Sequence, residues 1–120
     1  MRALFLGALM MTVLTSAAQA DAPGELLTPA QIEAAWVGKT LKAQSPKGKS
    51  YTLNFKADGS AEISGDFQDK GTWRLSDTGY CTTWPGIHGK ENCFAVRKAG
   101  NQYTTIAADG SVNATITVAE

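Results

Sequence analysis

Residues 51–75, YTLNFKADGSAEISGDFQDKGTWRL, contain the pattern that decides the fold. Apolar and polar residues alternate over 51–55, over 61–67 and again over 71–75. Alternation with a period of two is typical of half-buried antiparallel β-strands. Asp58-Gly59 separates the first two runs and supplies a residue that tolerates the strained dihedrals of a tight turn. These runs therefore predict consecutive strands of one antiparallel sheet.

The same alternation returns near the end of the chain, where residues 112–118 place apolar side chains against asparagine and threonine. Turn-forming residues separate the other runs: Pro46-Lys47-Gly48, Asp77-Thr78-Gly79, Gly100-Asn101 and Asp109-Gly110. Seven or eight short strands joined in this way form an up-and-down meander. Closing the meander into a barrel would remove its exposed edges. The predicted fold class is therefore mainly β, an antiparallel barrel or half-barrel.

One short helix is predicted before the strands. Thr28 can cap its first turn, Gln31 can complete a capping box, and Gly38 can end the helix in a left-handed conformation. The apolar residues of this segment share one face, which we expect to pack on the rest of the domain: Ile32, Ala35 and Trp36.

The first twenty residues, MRALFLGALMMTVLTSAAQA, are typical of a secretion signal. Arg2 precedes an apolar run at 3–14, and Ala18-Gln19-Ala20 provides the small side chains that signal peptidase requires. At ~1.5 Å per residue this run spans about 18 Å, well short of the ~30 Å hydrocarbon core of a bilayer. We therefore expect cleavage after Ala20 and a single β-rich domain at 21–120, located in the periplasm.

The composition limits the partners. The chain has 11 Lys+Arg and 11 Asp+Glu, so its formal net charge of zero exerts no long-range attraction toward nucleic acid or an anionic membrane surface. One His and two Cys are too few for a structural zinc site. We expect a monomer with no cofactor, no metal, no nucleic-acid partner and no membrane-spanning segment in the mature chain.

Cys81 and Cys93 form an even pair in a chain expected to be exported, which favours a disulfide. Their spacing is not that of a redox motif, and free thiols or metal ligation are the alternatives. If Tyr80, Trp84 and Phe94 face inward, both sulfurs lie on the outer face of neighbouring strands, as a cross-strand bridge requires.

Signatures of known enzyme classes are missing from the sequence. It contains no G-x-S-x-G elbow, no phosphate-binding glycine loop and no H-E-x-x-H motif, and His88 is its only imidazole. Four carboxylates could pair for acid–base chemistry, although turns and polar strand faces are ordinary places for surface charge: Asp58, Glu62, Asp66 and Asp69. We therefore expect no catalytic residue and no enzymatic activity.

The segment 84–92 is the longest irregular connection among the predicted strands, and the two cysteines bracket it. A loop held at both ends by a disulfide is preorganised for binding, with Trp84 and His88 as its candidate contacts. The alternative is a long hairpin loop in which Trp84 is buried and His88 is solvated. The sequence leaves both interpretations open.

The chain also resembles a known family at three motifs: GTWR at 71–74, YCTTW at 80–84 and ENCF at 91–94. It is similar to a family of small exported proteobacterial proteins of unknown function, which share a leader, a short helix and a V-G-K-T stretch that is found here at 37–40. The resemblance implies a periplasmic β-rich domain and no catalytic residue. The G-x-W motif before a meander is more distantly similar to lipocalin-like barrels.

Two functions are compatible with these observations. The first is a small-ligand-binding, lipocalin-like module whose barrel is lined by aromatic residues: Tyr51, Phe55, Trp73 and Trp84. The second is a module that binds or inhibits another periplasmic protein through the 84–92 loop. A ligand carrier needs an open cavity of roughly 300 Å³ or more, whereas an inhibitor needs a filled core and a projecting loop.

Overall fold

The computed structural model describes residues 23–119, so the predicted signal peptide and its cleavage site lie outside the described residues. Over that range the chain forms a mainly β domain with one helix, as predicted. Its elements are β1 (Glu25–Leu26), α1 (Pro29–Trp36), β2 (Thr40–Gln44), β3 (Ser50–Phe55), β4 (Ser60–Gly65), β5 (Asp69–Leu75), β6 (Tyr80–Thr83), β7 (Glu91–Ala99), β8 (Gln102–Ala107) and β9 (Val112–Val118).

Strands β2 to β9 form a closed, eight-stranded antiparallel barrel. Each strand pairs with the next one along the chain. The last strand returns to the first, with Leu41 opposite Val118 and Gln44 opposite Thr115. Closure gives the strands of the barrel hydrogen-bonding partners on both sides. Of the two predicted architectures, the structure is therefore the barrel and not the half-barrel.

Strand β1 is an addition that the sequence pattern did not predict. Glu25 lies opposite Lys98 and Leu26 opposite Arg97, so β1 pairs with the end of β7 that β6 does not reach. Two residues are too few to show an alternation of polar and apolar side chains. The missed strand extends the sheet at one position of the barrel wall and leaves the predicted fold class unchanged.

The helix begins and ends as predicted. The Thr28 hydroxyl accepts a hydrogen bond from the Gln31 amide at 3.2 Å, and the Thr28 amide donates to Gln31 Oε1 at 2.9 Å, which completes the capping box. Gly38, directly after the C-cap, has a φ of 80°. Ile32 and Trp36 are both buried on the face that meets the barrel.

Helix α1 covers one end of the barrel, which we call the closed end. The Trp36 ring packs against three aromatic rings that project from the strands there, with centroid distances of 6.0 Å to Phe55, 5.3 Å to Tyr80 and 5.5 Å to Tyr103. The opposite end, which we call the open end, carries the connections at 45–49, 66–68, 84–90 and 108–111. The aromatic cluster therefore fills the half of the barrel nearest the helix.

One strand boundary differs from the prediction. The alternating run suggested a strand as far as Phe67, but β4 ends at Gly65, which has a φ of 120°. The next residue, Asp66, still bonds to the start of β3: its amide donates to the Ser50 carbonyl at 3.0 Å, and its carboxylate accepts from the Ser50 amide at 2.8 Å. Phe67 still faces the interior, where its ring lies 5.4 Å from that of Tyr51.

Gly71, the glycine of the GTWR motif, permits a close approach of β5 to β6. A Cβ atom at this position would lie 2.0 Å from the Thr83 carbonyl oxygen and 3.0 Å from the Trp84 ring. We expect Gly71→Ala to lower the free energy of unfolding by about 2 kcal/mol through overpacking, as measured by urea denaturation.

Gly38→Ala is the control for this substitution. Gly38 has a positive φ but no atom within 4 Å of a Cβ, so its replacement adds backbone strain alone, about 1 kcal/mol. Equal losses for the two variants would contradict a steric role for Gly71.

Candidate functional site

A cavity of about 570 Å³ occupies the open half of the barrel. Its walls come from five of the eight barrel strands and from three of the connections at the open end. The residues that line it are Ser45, Pro46, Lys47, Lys49, Tyr51, Leu53, Phe55, Ile63, Phe67, Tyr80, Thr82, Trp84, Ile87, His88, Asn92, Phe94, Val112 and Asn113. Its volume exceeds the roughly 300 Å³ that a small-molecule site requires.

The cavity changes in polarity from its floor to its mouth. The floor consists of buried residues, among them Leu53, Phe55 and Ile63, which rest on the Trp36 cluster. Polar side chains lie nearer the open end, where Asn92 is the second residue of β7 and the lysines belong to the turn at 45–49. A molecule that fills this space would therefore meet an apolar interior and a polar entrance.

A β-bulge places one polar group on the wall of the cavity. Ile106 lies opposite Val112 and Thr105 opposite Ala114, so Asn113 is the extra residue on β9. Bulges commonly redirect a side chain, and here the Asn113 amide donates to the buried Thr105 hydroxyl at 3.1 Å. The amide group of Asn113 is thereby held at the cavity wall.

Tyr80 adds a neutral hydroxyl to the same wall. Its side chain is buried, and burial raises the pKa of its hydroxyl well above the usual value, although a hydrogen bond with Thr105 opposes this rise. Burial also raises the pKa of Tyr51, which lines the cavity from β3. Both phenols are therefore neutral near pH 7 and can donate or accept hydrogen bonds.

The structure brings together four of the five residues that the sequence indicated for binding. Tyr51, Phe55, Trp84 and His88 all line the cavity. Trp73 does not: its ring packs on Phe55 at 5.3 Å on the side of the closed end, and its indole N–H donates to the Lys56 carbonyl at 2.7 Å. The alternation of side chains along β5 correctly placed Trp73 inside the barrel, but it did not show how far along the barrel axis Trp73 lies.

The connection at 84–90 is folded compactly over the cavity. The amides of Ile87, His88 and Gly89 all donate to the Trp84 carbonyl, at 3.0, 3.1 and 3.0 Å. Trp84 itself is 7% exposed, whereas His88 is exposed to solvent. The segment thus has the buried tryptophan and solvated histidine of the hairpin-loop interpretation, while both residues also line the cavity.

Two of the four candidate carboxylates hold connections at the open end. Asp66 accepts from the Ser50 amide, and Asp69 accepts from the Gly86 amide, each at 2.8 Å. The second bond ties the 84–90 connection to the start of β5. These two acidic groups position backbone segments around the mouth of the cavity.

The other two candidates lie near the β3–β4 turn at the closed end. Hydrogen bonds from the side chain and backbone of Ser60 lower the pKa of Asp58. Glu62 forms an ion pair with Lys56 at 3.1 Å. The four carboxylates are thus divided between the two ends of the barrel and engaged in turns or surface pairs.

The predicted disulfide is present. Cys81 and Cys93 lie directly opposite each other on β6 and β7, and their sulfur atoms are bonded. Glu91 lies beside them, but a sulfur pair that is already bonded offers no thiolate to a metal ion.

Arg74 spans the outer face and donates two hydrogen bonds to Glu91, at 2.8 and 2.9 Å. These hydrogen bonds lower the pKa of Glu91.

A second depression of about 680 Å³ lies on the outer wall of the barrel. It is lined mainly by outward-facing side chains of β2, β3, β4 and β9, namely Lys42, Gln44, Ser50, Thr52, Ser64, Thr115 and Thr117. The Thr52 and Ser64 hydroxyls bond each other at 2.8 Å. We place the candidate site inside the barrel because that cavity is enclosed by aromatic side chains.

Comparison of the chain with protein-family models, curated proteins and solved structures finds no match. Among residues 23–119, no helix has the length and apolar character needed to cross a bilayer.

Proposed function

We propose that this protein is a periplasmic, non-enzymatic binding protein that holds a small apolar or amphipathic molecule in the open half of its barrel. The observation that carries the proposal is the 570 Å³ cavity with its aromatic lining. Cavities of about 300–1,000 Å³ that are mostly apolar, with a few placed polar groups, are typical of small-molecule sites.

The division of the barrel into two halves supports this function. The helix and the Trp36 cluster already bury the apolar interior at the closed end. The open half still encloses about 570 Å³ of free space, and its aromatic walls are available to a guest. A rigid, closed barrel also keeps this space preformed, which lowers the entropy cost of binding.

The alternative function, inhibition of another protein through the 84–92 segment, has less support. An inhibitory loop must project from its scaffold, whereas three amides of this segment converge on the Trp84 carbonyl and a fourth bonds to Asp69. The compact segment is better suited to form one side of a cavity mouth. Location in the periplasm is supported by the disulfide, because such bonds persist in oxidising compartments.

The proposal is tested by titrating the protein with the uncharged dye phenylnaphthylamine, whose fluorescence rises in apolar surroundings. We expect saturable binding of one dye per chain. Val112→Trp adds a large ring where β9 lines the cavity, and we expect it to weaken binding by about tenfold or more, equivalent to ~1.4 kcal/mol.

Thr117→Trp is the matched control, since it adds the same ring to the exposed outer face of the same strand. It should bind the dye as the wild type does. A second variant that narrows the mouth, Ile87→Trp, covers the case in which Val112→Trp does not fold. If the wild type fails to bind the dye, and native mass spectrometry of protein isolated from periplasm finds no bound small molecule, the proposal is wrong.

A further inference from the structure

We propose that the ligand of this cavity is an amphipathic anion, with its apolar chain in the barrel and its acidic head group at the mouth beside Lys47 and Lys49. This inference rests on the proposed function and adds the chemical class of the ligand. It is carried by the distribution of charge and polarity around the cavity.

The charges that line the cavity have one sign. Lys47 and Lys49 both contribute to its walls, and none of the eighteen described residues that line it is acidic. The chain as a whole has equal numbers of basic and acidic residues, 11 of each. The excess of cations at the mouth is therefore a local property of this site. A mouth lined by charges of one sign attracts ligands of the opposite sign.

Acidic residues are present at the open end, but their carboxylates are engaged elsewhere. Asp66 and Asp69 accept hydrogen bonds from backbone amides of two connections. Asp109 accepts from the amide and hydroxyl of Ser111, at 2.9 and 2.6 Å, and these bonds lower its pKa. Glu91 is paired with Arg74 on the outer face. These acids hold the rim in shape and lie outside the cavity lining.

The two lysines are held near the mouth by an ordered turn. The Ser45 amide donates to the Lys49 carbonyl at 2.9 Å, and the Lys49 amide donates to the Ser45 hydroxyl at 3.1 Å. Within residues 23–119 neither lysine forms an ion pair. Lysine can lay its aliphatic stem along an apolar wall while its ammonium group stays in water. Both ammonium groups are therefore available to a head group at the entrance.

Other polar side chains near the mouth complement the two lysines. His88 and Asn92 line the mouth on the side of β7, and Asn113 lines it on the side of β9. Imidazole and amide groups can donate hydrogen bonds to the oxygen atoms of a carboxylate or phosphate. Below them the floor offers the rings and aliphatic side chains around Phe55. The gradient therefore fits a single-chain molecule whose charged end remains at the entrance.

The test uses displacement of phenylnaphthylamine by three ligands of one chain length: dodecanoate, dodecanol and dodecyltrimethylammonium, each below its micellar concentration. We expect dodecanoate to bind about tenfold more tightly than dodecanol, and the cation to bind most weakly. The double variant Lys47→Gln, Lys49→Gln should lose this tenfold preference and retain the affinity for dodecanol. Dodecyl phosphate in a parallel titration distinguishes a phosphate head group from a carboxylate.

The matched control is Lys42→Gln, Lys70→Gln, which removes the same charge from exposed positions that do not line the cavity. It should keep the preference for the anion. Equal binding of the three ligands by the wild type, or an unchanged preference in the Lys47/Lys49 variant, would overturn the inference while leaving the proposed binding function intact. Failure of the wild type to bind the dye and every ligand would instead overturn the binding function itself.

Discussion

Replacing Trp36 by alanine should lower the free energy of unfolding by about 3–5 kcal/mol, the loss that is typical when a buried aromatic ring is removed. Trp36 is 1% exposed and contacts Phe55, Tyr80 and Tyr103, so its removal leaves a void where the helix meets the barrel. Stabilities of small domains are about 5–15 kcal/mol, so the loss is a large part of the total. Urea denaturation followed by circular dichroism measures it.

Two further variants show whether the effect comes from packing. Trp36→Phe keeps a ring in the cluster and removes an indole N–H that has no hydrogen-bond partner among the described residues, so it should cost much less than the alanine variant. Leu26→Ala truncates an apolar side chain that is 54% exposed and should change stability by no more than about 0.5 kcal/mol. A loss within about 1 kcal/mol of zero for Trp36→Ala would show that the helix does not stabilise the barrel.

Removing the disulfide with the double variant Cys81→Ala, Cys93→Ala should cost about 3 kcal/mol, the value expected from loop-closure entropy for a bridge of this span. The sequence separation is 12 residues. The bridge joins residues already opposite each other on paired strands, so its main effect is to limit the conformations of the unfolded chain. We expect the folded barrel to keep its circular dichroism spectrum, and thermal unfolding to report the loss.

Wild-type protein that has been reduced in denaturant and kept reduced should show the same loss as the double variant. The Arg74–Glu91 pair beside the bridge is left in place in both samples, so a difference between them reflects the alanine substitutions. If the double variant unfolds at the same denaturant concentration as the oxidised protein, the bridge contributes nothing to stability and the entropic explanation is wrong.

Much of the fold could be predicted because a single period is sufficient to recognise it. Residues 51–55 and 71–75 alternate between polar and apolar side chains, which is the pattern of antiparallel strands that bury one face, although it did not distinguish a barrel from a half-barrel. The even pair of cysteines in a chain expected to be exported predicted the Cys81–Cys93 disulfide, which the structure confirms, and the alternation along β6 and β7 was compatible with it. The capping residues Thr28 and Gln31 act locally, so their role could be read without knowing the tertiary structure.

The site was harder to predict because a residue lines the cavity only if it lies at the right position between the closed end and the open end of the barrel. Parity shows that Trp73 and Trp84 both face inward, but only the registers of β5 and β6 place one beside the helix and the other at the cavity. The alternation along β9 placed Asn113 on the outer face, but a bulge brings it to the wall of the cavity. Lys47 and Lys49 belong to a turn, which has no alternation of side chains to show which residues lie near the interior. Their position at the mouth follows only from the closed barrel.

The positions of the three tryptophans have a spectroscopic consequence. Trp84 alone lines the cavity, Trp36 lies beneath its floor, and Trp73 is bonded to the Lys56 carbonyl near the helix. A guest in the barrel therefore touches one indole and leaves the other two unchanged. The tryptophan fluorescence of this protein therefore reports two properties without an added label: Trp84 reports whether the cavity is occupied, and Trp36 and Trp73 report whether the barrel is folded.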